Sequence, residues 1–321
     1  MSIATSALCC SLLALLVVAV SGLLSGWWWV AELLVSLRVQ QLCVLVPLVV
    51  LAFLLRICLR WRLLGVVLLV WHIWWLRSAW ISDGRSVEQG LSAAHLTVCV
   101  SNVQADNPDT ESVLRSLRAC DADVIAVLEL TTVLRIRLQS EFAADYPYFL
   151  FAEREPGHFG IGVLSRLPLR SSAVVNYRLP SVPSIEAELE LRCGDRVHLI
   201  ATHPRPPMDA WQHRMRNEHL DVLAARVVEL RAASQLPVIV MGDLNVTPWS
   251  PIFARFQDRA GLRSVTAGGG LEPTWYSRPY FVFGLVLDHV LHTDGLRSLR
   301  RWILPGNGSD HRAVLAELRL E

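Results

Sequence analysis

Pro237-Val-Ile-Val-Met-Gly-Asp-Leu-Asn245 is the stretch of sequence that decides the fold. It is an apolar run of strand length that ends in a glycine, a carboxylate and an amide. Asp243 and Asn245 are two residues apart, so in extended chain their side chains point to the same side, and Gly242 allows another backbone to approach closely. A carboxylate and an amide facing one pocket suit a phosphate group and an attacking water. The segment therefore predicts a buried strand that delivers two polar side chains to a site.

The same pattern recurs along the chain. Four other short apolar runs end on a polar side chain, at Asn102, Glu129, His203 and Asp288, and Ser309-Asp310-His311 precedes a further apolar run. Each residue alone could simply cap a strand or a turn. Many α/β enzymes, however, assemble a site from strand ends that meet at one edge of a sheet. Taken together, the five endings predict such a site.

The segments between these runs indicate an α/β domain with a mixed sheet. Residues 209–233 carry apolar side chains at helical spacing. Residues 149–201 consist of strand-like runs joined by short turns, which favours antiparallel pairing there.

The residue types suggest acid/base and metal chemistry. Asp310 and His311 are adjacent, so their side chains tend to diverge, which lets one bind a metal while the other faces a nucleophile. An imidazole that acts as a base needs a partner on its other nitrogen, and Asp288 is a suitable carboxylate. Glu129 and Asn102 offer the hard oxygen ligands that Mg²⁺ prefers.

These residues form part of an ordered set of motifs. In chain order they are Asn102, Glu129, Gly160-Ile-Gly-Val-Leu-Ser-Arg-Leu-Pro168, His203, Gly242-Asp-Leu-Asn245 with Pro248, Pro273-Thr-Trp275, Leu287-Asp-His-Val-Leu291 and Ser309-Asp-His311. The set resembles the endonuclease/exonuclease/phosphatase superfamily over about residues 94–320. The resemblance implies a four-layer sandwich, in which two mixed β-sheets pack face to face with helices outside, and a divalent-metal phosphoesterase.

The resemblance also implies roles for individual residues. Glu129 and Asp310 are expected to bind the metal, which would be Mg²⁺ with Mn²⁺ or Ca²⁺ as alternatives, and Asn102 is expected beside them as a ligand or a neighbour of the ligands. His311 is expected to be the acid/base group and Asp288 its orienting carboxylate. Asp243 is expected to position the attacking water or to help deprotonate it, and Asn245 and His203 are expected to bind the phosphoryl oxygens.

Composition excludes several other mechanisms. The chain has 321 residues and a net charge of +1, and every basic side chain is Arg because the sequence contains no Lys. A P-loop NTPase, a Schiff-base enzyme and a lysyl-adenylate ligase each need a Lys, so all three are excluded. The mean hydropathy of +0.38 is high for a soluble enzyme of this size and indicates that part of the chain lies in lipid.

The apolar part is the amino-terminal quarter. Runs at about residues 5–30, 41–57 and 61–82 are each near the ~20 residues that cross a bilayer, which predicts a transmembrane anchor of about three spans over residues 1–82. The second run is short and contains Pro47, so a hairpin lying in one leaflet is its alternative. Eight of the twelve Trp lie in residues 1–80, as is typical of side chains at a bilayer boundary. Residues 83–93 are predicted to be a linker and residues 94–321 the catalytic domain.

Arginine placement predicts the orientation. Arg56, Arg60 and Arg62 lie between the second and third spans, which favours a cytoplasmic position for that turn and an extracytoplasmic catalytic domain. Arg77 and Arg85, on the other side of the third span, argue against it. The membrane-anchored form resembles a bacterial subgroup of the superfamily, so we expect an integral protein of the bacterial inner membrane.

Charge also bears on the substrate. Residues 81–321 hold 25 Arg against 28 acidic residues, a net charge of −3, whereas binding to duplex DNA normally needs many contacts to phosphates. We therefore expect a phosphate-ester substrate, either diester or monoester, and a lipid bilayer as the other partner. An extracytoplasmic nuclease acting on DNA or RNA is the first alternative, and a catalytically silent binding protein the second. Arg205 and Arg312 could form a local positive rim. The sequence indicates no protein partner.

Overall fold

A computed structural model describes residues 3–79, 95–154, 157–265, 270–277 and 283–321. The predicted linker, residues 83–93, lies outside the described residues, as does Arg85. The helices are Ile3–Ser21 (α1), Trp29–Ser36 (α2), Arg38–Leu54 (α3), Leu59–Leu76 (α4), Thr110–Ala119 (α5), Thr132–Phe142 (α6), Ala210–Ser234 (α7) and Pro251–Ala260 (α8). Short 3₁₀ turns follow α1 at Gly22–Leu24 and α4 at Arg77–Ala79.

Fourteen strands are described. They are His95–Asn102 (β1), Val124–Leu128 (β2), Tyr148–Ala152 (β3), Ile161–Ser165 (β4), Leu169–Val175 (β5), Ser184–Glu190 (β6), Arg196–Ala201 (β7), Val238–Asp243 (β8), Arg263–Ser264 (β9), Trp275–Tyr276 (β10), Gly284–Leu285 (β11), Asp288–His292 (β12), Leu296–Ile303 (β13) and Val314–Leu320 (β14).

Twelve of these strands form two six-stranded sheets. One sheet has the order β13-β14-β1-β2-β4-β3 and the other β5-β6-β7-β8-β12-β9, while β10 and β11 pair with each other. The pairs β1–β2 and β7–β8 are parallel and the other pairs within these two sheets are antiparallel. Both sheets are therefore mixed, and the antiparallel pairing predicted for residues 149–201 is confirmed.

Alternation along the strands builds the four layers. In β8, Ile239 and Met241 join the core between the two sheets, while Val238 and Val240 pack on the other face against α7 and α8. In β1, Val98 faces the core between the sheets and Cys99 faces α5 and α6. Side chains of a strand point alternately to opposite faces, so fully apolar strands can pack on both sides. The predicted fold class, two mixed sheets flanked by helices, is confirmed.

Two amino-terminal helices are long and apolar enough to cross a membrane, Ile3–Leu24 and Leu59–Leu76. They correspond to the first and third predicted spans. The second run lies in a broken pair in which α2 and α3 are bent by 62°, and it counts as a third span only if that pair crosses as one unit. The number of spans is thus two or three among the described residues, and Pro47 lies within α3.

The amino-terminal helices pack against the domain. Val35 of α2 and Leu76 of α4 share a buried cluster with Trp249 and Val286. The indole N–H of Trp249 donates to the backbone carbonyl of Val35 at 3.1 Å, and the ring of His213 bonds the backbone carbonyl of Ser25 at 2.8 Å. The helices and the domain therefore share an apolar and hydrogen-bonded contact.

Candidate active site

The predicted residues meet at one end of the two sheets, but Asp288 begins β12, whereas the sequence predicted it at the end of a strand. The strands β8 and β12 are antiparallel neighbours, and their register places Asp288 directly opposite Asp243. A cavity of about 480 Å³ opens at this end of the sheets and is lined by Glu129, His203, Asp243, Asn245, Asp310 and His311, among others. The two remaining predicted residues, Asn102 and Asp288, lie deeper and contact residues of this lining. All eight predicted site residues therefore belong to one cluster.

His311 lies between two carboxylates. Its Nδ1 is 2.9 Å from Oδ2 of Asp288, and its Nε2 is 3.6 Å from Oδ2 of Asp243. Burial lowers the pKa of His311, but the charges of Asp288 and Asp243 raise it more, to about 10. Burial raises the pKa of Asp288 above its usual value in spite of the imidazole. The ring orientation is thus fixed through Nδ1, with Nε2 directed toward Asp243.

The carboxylate of Asp243 contacts several other residues of the site. Its Oδ2 accepts a bond from the side-chain amide of Asn102 at 3.2 Å and lies 3.5 Å from Nε2 of His203, while Oδ1 accepts from the backbone N–H of Asn245 at 2.9 Å. Burial raises the pKa of Asp243, but His311 and His203 together with the Asn245 N–H hold it well below its usual value. Asp243 is therefore a carboxylate anion held by imidazoles and amides.

His203 is buried next to that anion. Burial lowers its pKa, whereas the contact with Asp243 and the charge of Glu129 raise it to a net value above the ordinary one. Its Nδ1 is buried without a hydrogen-bond partner among the described residues. Nδ1 is enclosed, and the polar contact that the structure shows for the ring of His203 is the one between Nε2 and Asp243.

Backbone conformation aims two of the side chains. Glu129 and Asn245 both follow a strand and have positive φ values, of 58° and 51°, which is uncommon for residues with a side chain and typical of strained functional sites. Gly242 is required for another reason, because a Cβ built there would lie 1.8 Å from the carbonyl oxygen of Thr202 on the parallel neighbour strand. The close approach of the two strands brings His203 next to Asp243.

Two carboxylates line the cavity beside this pair of strands. Glu129 accepts bonds from the side-chain amide of Asn102 at 3.0 Å and from the backbone N–H of Ala105 at 3.0 Å. Asp310 accepts from the indole N–H of Trp275 at 3.0 Å. In this arrangement Asn102 turns its amide nitrogen toward the carboxylates, and its oxygen accepts from the N–H of Gln104. Asn102 is thus placed to orient Glu129.

The donor set fits a divalent cation. Glu129 and Asp310 bring carboxylate oxygens to one cavity, and such oxygens are the ligands that Mg²⁺ prefers. Asp243, Asp288 and His311 also have potential ligand atoms within 4.8 Å of one another. Within this second group, Nδ1 of His311 and Oδ2 of Asp288 already contact each other at 2.9 Å.

Several cavity residues escaped sequence reasoning. His158 lies 3.3 Å from Oε2 of Glu129 through its Nδ1, and its position two residues before the Gly160 motif is the only signal that could have drawn attention to it. Thr274 belongs to the Pro273-Thr-Trp275 motif and does not line the cavity, but its buried hydroxyl accepts from the backbone N–H of Asp288 at 3.0 Å, a contact that the sequence did not indicate. Leu33 and Ser36 of α2 also line the cavity, and nothing in the sequence placed the anchor there.

The two arginines suspected of forming a rim differ. Arg205 lines the cavity, and its guanidinium lies 4.6 Å from the centre of the Phe159 ring. Arg312 instead forms a salt bridge with Glu272 at 2.8 Å and donates to the backbone carbonyl of Leu304. Only Arg205 of the two therefore faces the cavity.

Comparison with known proteins identifies the family. The sequence profile of the Endonuclease/Exonuclease/phosphatase family matches residues 99–311. This chain belongs to that family. No curated protein sequence matches it. Members of the family are hydrolases that act on phosphoesters, and they generally use divalent metals.

Solved structures agree on the fold. The catalytic domain of human nocturnin with bound sulfate is similar at a TM-score of 0.58 and 17% identity, over 71% of this chain and 95% of that one. TDP2 from D. rerio, complexed with a single-strand DNA product, gives 0.59 and 18%, over 70% and 98%. Sphingomyelinase C from Streptomyces griseocarneus gives 0.54 and 18%, over 70% and 99%. At these identities the likeness establishes the fold alone.

Proposed function

We propose that this protein is a membrane-anchored, divalent-metal-dependent phosphoesterase that hydrolyses a phosphodiester or a phosphomonoester by in-line attack of an activated water. The observation that carries the proposal is the arrangement of Asp288, His311 and Asp243, in which one buried imidazole is held on one side and faces a second carboxylate on the other. A positioned acid/base pair beside metal-binding carboxylates is what phosphoester hydrolysis requires.

Each residue has a role in this proposal. Asp243 positions the attacking water, while Asn245 and His203 bind the phosphoryl oxygens. His311 is the acid/base group, and Asp288 keeps its ring in place. Negative charge that develops on the phosphoryl oxygens is stabilised by these fixed donors, which need no rearrangement during the reaction. Overall, the oxygen of water bonds to phosphorus, the ester P–O bond breaks, and the leaving oxygen ends with a proton.

Glu129 and Asp310 are the residues that would hold the metal, with Asn102 orienting Glu129. A bound Mg²⁺ polarises the phosphoryl group as a Lewis acid. Mn²⁺ or Ca²⁺ could take the same position, because both also accept carboxylate oxygen ligands.

Membrane anchoring through residues 1–82, ahead of a catalytic domain at 94–321, is part of the proposal. The ends of the helices support it. Contacts of Ser25, Val35 and Leu76 with the domain lie after α1, in α2 and at the end of α4, whereas the turn from α3 to α4 lies at the opposite end of α4. That turn and the start of α4 carry Arg56, Arg60 and Arg62.

This arrangement agrees with helices that cross a bilayer and have the domain on one side and the Arg-rich turn on the other. Arg-rich turns stay in the cytoplasm, so we propose an extracytoplasmic domain and an integral protein of the bacterial inner membrane.

A nuclease is the second candidate, since TDP2 of D. rerio with its DNA product shares the fold. Two features of this chain count against it. Residues 81–321 have a net charge of −3, and Arg205 is the one Arg among the described residues that line the cavity. A protein surface that binds nucleic acid normally carries several Arg or Lys side chains that contact phosphates.

The test is hydrolysis by the purified full-length protein in detergent. Nucleic acid, phospholipid, nucleotide and sugar-phosphate substrates are each assayed with Mg²⁺, Mn²⁺ and Ca²⁺. We expect hydrolysis of at least one phosphoester, abolished by a chelator and restored by added metal. Turnover that a chelator does not change would remove the metal from the proposal, and no turnover of any substrate would remove the activity.

A further inference from the structure

The amino-terminal segment forms part of the wall of the candidate active site. Leu33 and Ser36 of α2 line the same cavity as Asp243, Asn245 and His311. The short helix α2 is therefore in a position to contact a substrate. A segment that only attached the domain to the membrane would not line the cavity.

A buried ion pair holds α2 in that position. Glu32 and Arg216 are both fully buried, with Nη2 of Arg216 3.1 Å from Oε1 of Glu32. The hydroxyl of Ser250 donates to both oxygens of the same carboxylate, at 3.0 and 3.1 Å. Breaking a buried pair is costly, because the remaining charge has no partner. The position of α2 is thus fixed relative to the catalytic domain.

The same arginine contacts the loop that carries a phosphate-binding residue. Nη1 of Arg216 donates to the backbone carbonyl of Asn245 at 2.6 Å, and the Asn245 side chain donates to the carbonyl of Pro204 at 3.0 Å. Glu32, Arg216 and Asn245 therefore form one chain of contacts from the anchor to the catalytic residues.

The cavity lining has an apolar part, the apolar mouth, formed by Phe159, Pro206, Pro207, Met208, Leu285 and Leu287. Polar residues, among them Gln104, Asp106, His158, Arg205 and Gln212, line the same cavity. Met208 is 63% exposed and so is accessible from this cavity. Leu33 extends this apolar lining onto the anchor.

The mouth also lies where the anchor meets the domain. Gln40, near the start of α3, donates to the backbone carbonyl of Gly284, next to the cavity residue Leu285. Trp27 and Trp28, just before α2, are exposed, Trp27 at 84%. Exposed Trp beside apolar helices is typical of the bilayer boundary. The apolar mouth therefore lies beside residues that we expect at the bilayer boundary.

We propose that α2 and the apolar mouth form a binding site for the hydrocarbon part of an amphiphilic phosphoester, so that the substrate is a membrane lipid whose phosphate reaches Asn245 and His203 while its chain lies along Leu33 and Met208. This inference rests on the proposed phosphoesterase function and names its substrate class. The lipid enters from the leaflet next to the domain, and the ester linkage beside its phosphate is the bond hydrolysed.

The experiment compares two substrates with the same leaving group, methyl 4-nitrophenyl phosphate and dodecyl 4-nitrophenyl phosphate, with the full-length protein in detergent and Mg²⁺. Methyl phosphate and dodecyl phosphate serve as the corresponding monoesters. We expect a kcat/KM at least about tenfold higher for the dodecyl ester, since each buried methylene adds to binding. Leu33→Asn and Met208→Asn should each lower this preference at least about threefold.

Leu34→Asn is the matched control, because Leu34 is the neighbouring residue of α2 and does not line the cavity; it should keep the wild-type preference. Met208 is largely exposed, so Met208→Asn remains informative if Leu33→Asn fails to fold.

Equal kcat/KM for the two chain lengths, or unchanged preference in both cavity variants, would overturn the inference and leave the phosphoesterase proposal in place. So would an oligonucleotide that is hydrolysed with a higher kcat/KM than the dodecyl esters. Failure to hydrolyse any of the esters or the oligonucleotide would overturn both proposals.

Discussion

This protein has two buried clusters of charged side chains, one in the candidate active site and one between the anchor and the domain, and we propose different roles for them. In the catalytic cluster, Asp243 is approached by both His203 and His311. In the cluster between anchor and domain, Glu32 accepts bonds from Arg216 and Ser250, and Arg216 donates from all three guanidinium nitrogens.

The difference lies in how fully the polar atoms are used. In the catalytic cluster, Nδ1 of His203 and Oδ1 of Asp288 are buried without a partner among the described residues. Unpaired buried polar atoms cost free energy. Each guanidinium nitrogen of Arg216 donates to a partner, which suits a structural contact, although Nε and Nη1 of Arg38, whose charge interacts with that of Glu32, have no partner among the described residues. The comparison shows that burial of a charged side chain does not by itself distinguish a catalytic residue from one in a structural ion pair.

The largest effect is expected in the catalytic cluster. His311→Ala should lower kcat by about 10²- to 10⁴-fold, the usual contribution of a positioned acid/base group. The fold should persist, because burial already raises the pKa of Asp288, and its carboxyl can bind a proton once the imidazole is gone. Steady-state kinetics and the thermal unfolding midpoint measure the two effects. His198→Ala is the control, since His198 bonds Ser234; if both variants have wild-type rates, His311 has no catalytic role.

In the cluster between anchor and domain, we expect substitutions to lower the free energy of unfolding. Glu32→Gln leaves the charge of Arg216 buried without a counter-charge, and loss of one partner of such a pair costs about 3–5 kcal/mol. Denaturant unfolding in a fixed detergent measures the change. The matched control is Glu229→Gln, whose exposed pair with Arg226 should contribute only about 0–1 kcal/mol. Equal destabilisation by the two variants would show that the buried pair does not hold the anchor.

A double variant separates the effect of Arg216 on stability from its effect on the position of the Asn245 loop. Glu32→Leu with Arg216→Met replaces the pair by apolar groups, which often restores stability. It does not restore the donation from Arg216 to the Asn245 carbonyl. We therefore expect a stable protein with a raised KM. A wild-type KM in a stable double variant would mean that Arg216 does not position the Asn245 loop.

An intermediate effect is expected at Glu129. Glu129→Gln removes one carboxylate charge from the proposed metal ligands. It should raise the Mg²⁺ concentration needed for half-maximal activity by at least about tenfold, because mutating a residue that only contacts a metal ligand already lowers metal affinity by about that factor. Activity titrations with Mg²⁺ measure it. Glu188→Gln, which loses only a pair with Arg196, is the control. An unchanged Mg²⁺ requirement in Glu129→Gln would exclude Glu129 from the metal site.

The smallest effects concern the two arginines near the site. Arg205 lines the cavity, so Arg205→Gln should raise KM by about tenfold through loss of one charged contact to the substrate. Arg312 is paired with the exposed Glu272, so Arg312→Gln should change kcat/KM by at most about fivefold, which corresponds to the 0–1 kcal/mol of such a pair. The reverse order in KM would mean that Arg312, and not Arg205, faces the phosphate.

Much of the site could be predicted because a strand ending is a local property. Asn102, Glu129, His203 and Asp243 each lie at or just after the end of a strand, and the strand-end rule predicts that such side chains share a site. Asp288 instead lies at the start of β12, where the rule does not apply. The antiparallel register that sets Asp288 opposite Asp243 depends on pairing between β8 and β12. It needed the structure, because register depends on contacts between segments far apart in sequence.

The sequence by itself determined the apolar helices and the polar residues of the candidate site, because hydrophobic periodicity and local motifs act over a few residues. Its ordered motifs also carried the family resemblance that implies the sandwich of sheets. Only the tertiary structure decided that α2 lines the cavity, that Glu32 pairs with Arg216, 184 residues away, and that Arg312 pairs with Glu272. A lone acid before an apolar helix has the same local pattern whether it faces water or an arginine. Its partner is selected by how the helices pack on the domain, and that packing is a property of the whole chain.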